Sequence, residues 1–259
     1  MIRERFVPVA IDQGYQRRQN DAEGEFWRSI ASQEPRNFFR GTDQGLYACS
    51  ADGTLLGFNN NRSPGRHRAF LLDALSAWRP TKAAATREGT RDPRYDIRPP
   101  VGGIVVNVTS KVLRDDAVSI GRDHLWIRKE EQDRLARGEV PEELKRRIAC
   151  CHLDDNTRGI PGFWGDSDIR GLELTLHDGL LSGWVHLESG GREFLAGILG
   201  VVESSEGRVT RFDLVANGSY RDQESRRPFA VAFTLIAADS EADQVPPQKA
   251  FGCLEGYYR

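Results

Sequence analysis

The chain has 259 residues, which suits one large or two ordinary domains, and 39% of them are apolar, enough for real cores. Its 36 Lys and Arg stand against 38 Asp and Glu, so the basic excess of a dedicated nucleic-acid binder is missing. No apolar run approaches the roughly 20 residues that span a bilayer, and no long apolar segment follows Met1 as in a secretory signal. As written, the chain is expected to be cytoplasmic, with neither a membrane nor a nucleic acid as partner. Four cysteines (Cys49, Cys150, Cys151, Cys253) are too few for a disulfide scaffold.

Residues 4–13 (ERFVPVAIDQ) read as a mostly buried strand and residues 21–33 as a helix. Two apolar runs, the first at residues 46–50, flank Asp52-Gly53, a pair that tolerates positive φ and so predicts a tight hairpin. Ser63-Pro64 then opens a helix, with the proline in the first turn where its missing N–H does no harm. Phe70, Leu71, Leu72, Ala74, Leu75 and Trp78 give that helix a broad apolar face. The order over residues 1–78 is β-α-β-β-α.

This order, carried by GTDQGLYACSADGTLLGFNNNRSPG and the helix after it, resembles the later part of a thioredoxin-like unit without its first strand and first long helix. The resemblance covers the N-terminal third only. Thioredoxin-type chemistry needs a low-pKa cysteine at a helix N-terminus, a partner thiol, and a cis-proline before the third strand. The chain has no CxxC, and Asp43 and Gln44 stand where that proline would be. Cys49 falls in mid-strand, where it reads as a small buried hydrophobe. The resemblance therefore implies a partial thioredoxin-like module used for packing or binding.

Residues 79–100 (RPTKAAATREGTRDPRYDIRPP) are poor in apolar side chains and read as a linker. Residues 101–239 read as an antiparallel-sheet domain, a curved sheet or open barrel with two helices. Its strands are expected at 102–113, 123–127, 169–177, 180–188, 192–203, 208–217 and 228–237, and its helices at 129–137 and 141–152. Asp178-Gly179, Gly190-Gly191 and residues 204–207 are hairpin turns by chemistry. The strand at 192–203 is apolar on both sides and is expected to be central. Cys151 shares a helix face with Leu144 and Ile148, so it is expected in a core. Residues 240–259 form a tail whose Phe251, Tyr257 and Tyr258 suggest that it folds back. DDNTRGIPGFW, SGWVHLES and RVTRFDLVANG are similar to phrases of uncharacterised bacterial proteins, a resemblance that brings no functional residues.

Three constellations carry possible chemistry. Thiol redox work lacks its motif. His124, His152, Asp154, Asp155, Asp166 and Asp168 offer imidazole and carboxylate near one Gly/Pro loop, a metal or hydrolytic possibility without HExxH or paired CxxC support. The Asp178-Gly179 turn pairs His177 with Leu180, Thr175 with Ser182, Glu173 with Trp184 and Gly171 with His186. It thereby gathers Glu173, Trp184 and His186 on one sheet face. With Trp164 from the loop at 154–168 laid over them, they form the expected ligand-binding set. Asp213 is expected to pair with Arg211.

The fold class is α+β: a partial thioredoxin-like βαββα unit plus an antiparallel curved sheet or open barrel with two helices. The function read from the sequence is non-catalytic binding or interaction, with a small molecule or a protein as partner, and without catalytic residues, metal or cofactor. The alternatives are a hydrolase-type site in the second domain, or a thiol-redox protein completed by upstream residues or a partner chain.

Overall fold

The structure, a computed structural model, describes residues 2–11, 13–34, 36, 44–83, 89–95, 97–114, 116–157, 159, 162–223, 225–250 and 254–258. It divides into two units, residues 1–96 and residues 97–259. Asp43, Phe251 and Cys253 lie outside the described residues.

In the first unit the expected strand at residues 4–13 does not form. Ile2–Arg5 (α1) and Gln13–Gln16 (α2) are short helices, the chain between them is irregular, and Val7 and Val9 are exposed. Pro8 removes a ladder donor from the middle of this run, and a strand exists only where a neighbour completes its hydrogen bonds. The order is thus α-α-α-β-β-α where the sequence suggested β-α-β-β-α. Helix α3 (Ala22–Ala31) is capped by Asp21, whose carboxylate accepts from the Gly24 N–H at 2.9 Å. It buries Trp27, Ile30 and Ala31.

Strands β1 (Leu46–Cys49) and β2 (Leu55–Asn59) form the expected antiparallel hairpin. Gly53 takes φ +87°, and the Asp52 carboxylate accepts from the Thr54 N–H at 3.0 Å and from the Ser50 hydroxyl at 2.5 Å. Trp27, Tyr47 and Phe58 stack in series at 4.7 and 4.8 Å between centroids. Gln33 ties helix to hairpin, donating to the Gly53 carbonyl and accepting from the Leu55 N–H, both at 2.9 Å.

Two further expectations fail in this unit. Cys49 is exposed, because the pleat turns it away from the face that buries Ala48. Helix α4 (Pro64–Ala77) buries only Ala74 and leaves Leu72 and Trp78 exposed, so its apolar face is mostly unused. Part of the stretch read as a linker is anchored in this unit: Asp92 accepts from the Asn20 N–H and donates its own N–H to Asp21, both at 2.9 Å. Arg94 beside it holds the Asp92 carboxyl well below the usual carboxylate range.

The second unit is a seven-stranded antiparallel sheet in the order β4-β3-β9-β8-β7-β6-β5. Its strands are β3 (Ile104–Val112), β4 (Gly121–Ile127), β5 (Ile169–His177), β6 (Leu180–Ser189), β7 (Arg192–Ser205), β8 (Arg208–Asp222) and β9 (Ser225–Ile236). Strands β5 to β9 are one meander joined by tight turns, and the β3–β4 hairpin adds through β3 to β9. The sheet does not close: β4 and β5 are its two edges. Asp178 and Gly179 sit at φ +48° and +79°, the turn that matches the twist of a two-residue hairpin.

Helices α5 (Lys129–Ala136) and α6 (Glu142–His152) lie on one face of this sheet, α5 against β7 and β8, α6 against β4 and β5. Between helices and sheet sits the core, with Trp164, Phe194, Phe212, Phe229 and Phe233 fully buried. Each such side chain contributes roughly 1.5–3 kcal/mol relative to exposure. Strand β7 lies inside the sheet, but only one of its faces is covered: Phe194, Ala196 and Ile198 are buried while Leu195 and Leu199 are exposed.

The tail belongs to this unit. It reaches from the outer side of edge strand β4, where the Val245 backbone bonds His124, to the inner side, where the Gln248 N–H meets Asp123 at 2.9 Å. Helix α7 (Leu254–Tyr258) follows and buries Tyr257. An edge strand wrapped in this way offers no ladder to another chain.

Candidate functional site

The register of the β5–β6 hairpin places the expected set. His177 faces Leu180, Thr175 faces Ser182, Glu173 faces Trp184 and Gly171 faces His186. Trp184 donates its indole N–H to Glu173 at 3.0 Å, and His186 lies 3.2 Å from Glu193 on β7. The Trp184 ring lies over Gly171, where an added Cβ would fall 2.2 Å from a ring carbon. Trp164 does not join this set. It is fully buried on the opposite face, its ring 6.4 Å from Tyr220 and beneath the Arg192 guanidinium at 4.3 Å, and its indole N–H donates to the Leu153 carbonyl at 2.9 Å. The loop at 154–168 therefore packs under the sheet, because its tryptophan gains more from the core than from a half-polar outer surface. Glu173, Trp184 and His186 share an open face instead of a pocket.

That open face sets exposed apolar side chains among polar ones such as Ser182, Asn217 and Ser219. Leu180, Trp184, Leu195, Leu199 and Val215 are all exposed on β6, β7 and β8, with Leu199 at 71%. Gly197 lies among them on β7, and Ala230 and Ala232 flank them on β9, so large side chains stand beside hollows. At one end the patch is bounded by charges that neutralise one another: Glu193 with Arg221 and Arg226, and Glu188 with Arg170 and Arg221.

The inner face carries the charges expected at a metal or hydrolytic site, and each is engaged elsewhere. His152 stands between Asp123 (3.0 Å from Nδ1) and the Tyr257 hydroxyl (2.9 Å from Nε2). The Trp126 N–H donates to that hydroxyl at 3.2 Å, so the chain of bonds runs Trp126, Tyr257, His152, Asp123 and pins the tail to β4. Asp154 accepts from Tyr220 at 2.6 Å and from Arg192 at 3.1 Å; Asp155 pairs with Arg227 at 2.5 Å. Asp166 pairs with Arg146 at 2.6 Å, and Asp168 accepts from the Gly165 N–H at 2.7 Å. Burial lowers the affinity of His124 for a proton. Among the described residues no group of three or more His, Cys, Asp or Glu is placed to hold a metal ion. Asp213 pairs with Arg211 at 2.6 Å, as its sequence context suggested.

A recess opens on this inner side. It measures about 220 Å³ and is lined by Arg146, Arg147, Cys150 and Cys151 of α6, by Trp164 to Asp166, and by Lys249, Gly256 and Tyr257 of the tail. Its titratable walls are held in their unreactive forms. Burial raises the Cys150 thiol, pushes Cys151 up to about 12, and raises the Tyr257 hydroxyl well above its ordinary value. Cys151 is buried, as its helical phase predicted.

Sequence reading missed Arg147, Glu131, Arg192, Tyr220 and Tyr257. A signal existed for one pair: Glu131 and Arg147 each recur on the apolar phase of their helix, where a charge demands a partner. The aromatic tail signalled that it folds back but not onto what, since the partners of Tyr257 lie more than a hundred positions away. Comparison of the chain with protein-family models, with curated proteins and with solved structures returns no match.

Proposed function

We propose that the chain is a non-catalytic interaction protein that self-associates through the open sheet face around Trp184. The observation that carries this is the run of exposed Leu180, Trp184, Leu195, Leu199 and Val215 beside glycine and alanine hollows. Strands lie about 4.8 Å apart and rise about 3.4 Å per residue, so the face spanned by β5–β9 over about four outward positions measures roughly 600 Å². That approaches the roughly 800 Å² which each partner gives to a stable interface. The surface is open and forms no pocket, which suits another sheet better than a small molecule. The occupant that fits is a second copy: a two-fold axis sets the ridges of one face into the hollows of the other, as in aligned sheet packing.

The reading as non-catalytic rests on the thiols and on the histidine. In the first unit Cys49 is raised, by burial and by Asp52, the wrong direction for an attacking thiolate. In the second, His152 is occupied on both ring nitrogens. No helix among the described residues is long and apolar enough to cross a membrane.

Sedimentation velocity on the full chain tests the proposal. Wild type is expected to be a dimer at micromolar concentration, and Leu199→Glu a folded monomer with an unchanged circular dichroism spectrum. A monomeric wild type, or a Leu199→Glu variant that stays dimeric, overturns it.

A further inference from the structure

The two edges of the seven-stranded sheet are finished differently. Edge strand β4 is wrapped by the tail, whereas β5 ends the sheet on the other side. The register of the β5–β6 hairpin decides which backbone groups of β5 are left over. In a hairpin with a two-residue turn the flanking pair, His177 and Leu180, exchanges its bonds, and so do Thr175 with Ser182 and Glu173 with Trp184. The Val202 N–H donates to the Gly179 carbonyl at 2.8 Å, which fixes the same phase by turning Gly179, and with it Leu181 and Gly183, toward β7. The backbone N–H and C=O groups of Leu172, Leu174 and Leu176 therefore point away from the sheet. None of them has a hydrogen-bond partner among the described residues. An unpaired ladder is a template for another strand unless charge, proline or a bulge blunts it. The bulge of β5 lies at its start, between Ile169 and Gly171, and residues 171–177 (GLELTLH) contain no proline, lysine or arginine.

We infer that this edge pairs antiparallel with the same edge of a second copy, with Leu174 on the two-fold axis. Strand β5 is complementary to itself in that register. Leu174 stands opposite Leu174 of the second copy and Leu172 opposite its Leu176, so every outward backbone group of these residues finds a partner. The side chains of Leu172 and Leu176 are only half-buried, and each gains cover from the other. On the outer side Glu173 stands opposite Thr175, and Gly171 opposite His177. At the ends Arg170 comes level with Asp178 of the second copy, so opposite charges meet and like charges do not. The neighbouring registers are worse. With Glu173 on the axis two carboxylates face each other. With Thr175 on the axis Leu172 falls opposite Asp178, whose φ of +48° takes it out of the ladder. The joined edge is a strip about 24 Å long and one strand wide, far short of the roughly 1,200 Å² at which standard interfaces begin. The pairing is therefore weak and concentration-dependent. It is separate from the face around Trp184 and has its own two-fold axis.

The test uses the full chain carrying Leu199→Glu, so that the face around Trp184 does not contribute. In sedimentation this variant is expected to pass from monomer to dimer at about a hundred micromolar. Amide exchange read by NMR is expected to slow at Leu172, Leu174 and Leu176 over the same range, with β4 unchanged. Adding Thr175→Glu sets a carboxylate opposite Glu173 of the second copy, twice by symmetry, and is expected to weaken the dimer by about tenfold. Thr175→Lys sets a cation there and is expected to tighten it by about fivefold. Thr175 is exposed, so both variants are expected to melt with their parent. The inference is overturned if the chain stays monomeric at millimolar concentration, if the dimer ignores both substitutions, or if Thr175→Lys weakens it. A Leu199→Glu chain that is already dimeric at micromolar concentration counts against the face around Trp184, while the edge is judged by its response to Thr175.

Discussion

The two faces of the seven-stranded sheet both mix polar with apolar groups, and each does so in its own way. The outer face exposes leucines, a valine and a tryptophan, while the inner face buries Glu131, Arg147, Asp123, His152, Asp154 and Arg227 under helices and tail. An alternating strand pattern reports only that two faces differ, and the side that is covered depends on what packs there. Here the covered side is tolerable for charges because they come in matched pairs with short hydrogen bonds. The uncovered side is tolerable for apolar groups if another surface removes them from water. The inner face thus acts as a rigid frame, and the outer face as the place where the molecule meets something else.

The sharpest way to break this comparison is to unpair an inner charge. Arg147→Met leaves the Glu131 carboxylate buried and opposed only by Arg128, and is expected to destabilise the chain by about 3–5 kcal/mol in urea unfolding. Adding Glu131→Leu is expected to restore most of the loss, since a well-packed apolar pair of similar volume replaces a buried ion pair at little net change. If the double variant is as unstable as the single one, the pair is not what holds α5 to α6. The same pair predicts a pH dependence. Burial works to raise the Glu131 carboxyl, but Arg147 and Arg128 outweigh it and hold it below the ordinary glutamate value. A lowered acid adds stability that is fully present above the unfolded-state value and is lost as pH falls through the folded one. The double variant should flatten this acid limb.

A smaller effect is expected at the tail. Tyr257→Phe removes the hydroxyl shared by His152 and the Trp126 N–H, leaving two buried polar groups without that partner. The expected cost is about 1–3 kcal/mol, with faster hydrogen exchange at the tail than in β7 and β8. Exchange that speeds up evenly over the whole unit would mean that the tail is not a separable latch.

The smallest effect on stability is expected on the outer face. Gly171→Ala places a methyl against the Trp184 ring, whose flexible side chain can move away. Thermal unfolding of the isolated monomer is expected to change by less than about 1 kcal/mol, while self-association weakens because the displaced ring no longer seats. Unchanged self-association would remove Trp184 from the contact.

What was legible in the sequence was local. Period-two alternation and turn chemistry sufficed for the five strands of the β5–β9 meander and its first three turns, down to the pairing of Glu173 with Trp184, because a two-residue turn fixes register; the extension of β8 to Asp222 and the start of β9 at Ser225 were not read. Helical spacing with Asp21 or Pro64 at the start sufficed for α3 and α4. The run at residues 4–13 misled because apolar alternation states a capacity for pairing, and only a neighbouring strand realises it. Cys49 misled for a related reason: which side of a two-stranded sheet is covered is not written in the strand.

By itself the sequence determined the α+β class, the run of strands, the register of the β5–β6 hairpin and the missing CxxC, since each depends on residues within one turn or hairpin. The tertiary structure alone decided that Trp164 lies beneath the sheet while Trp184 lies open above it. It alone brought Tyr257 to His152 and Lys249 to Trp164. Those contacts join positions far apart in the chain. They form because buried charges and aromatic rings must find partners in three dimensions, and no periodicity along one segment records where a distant segment will dock.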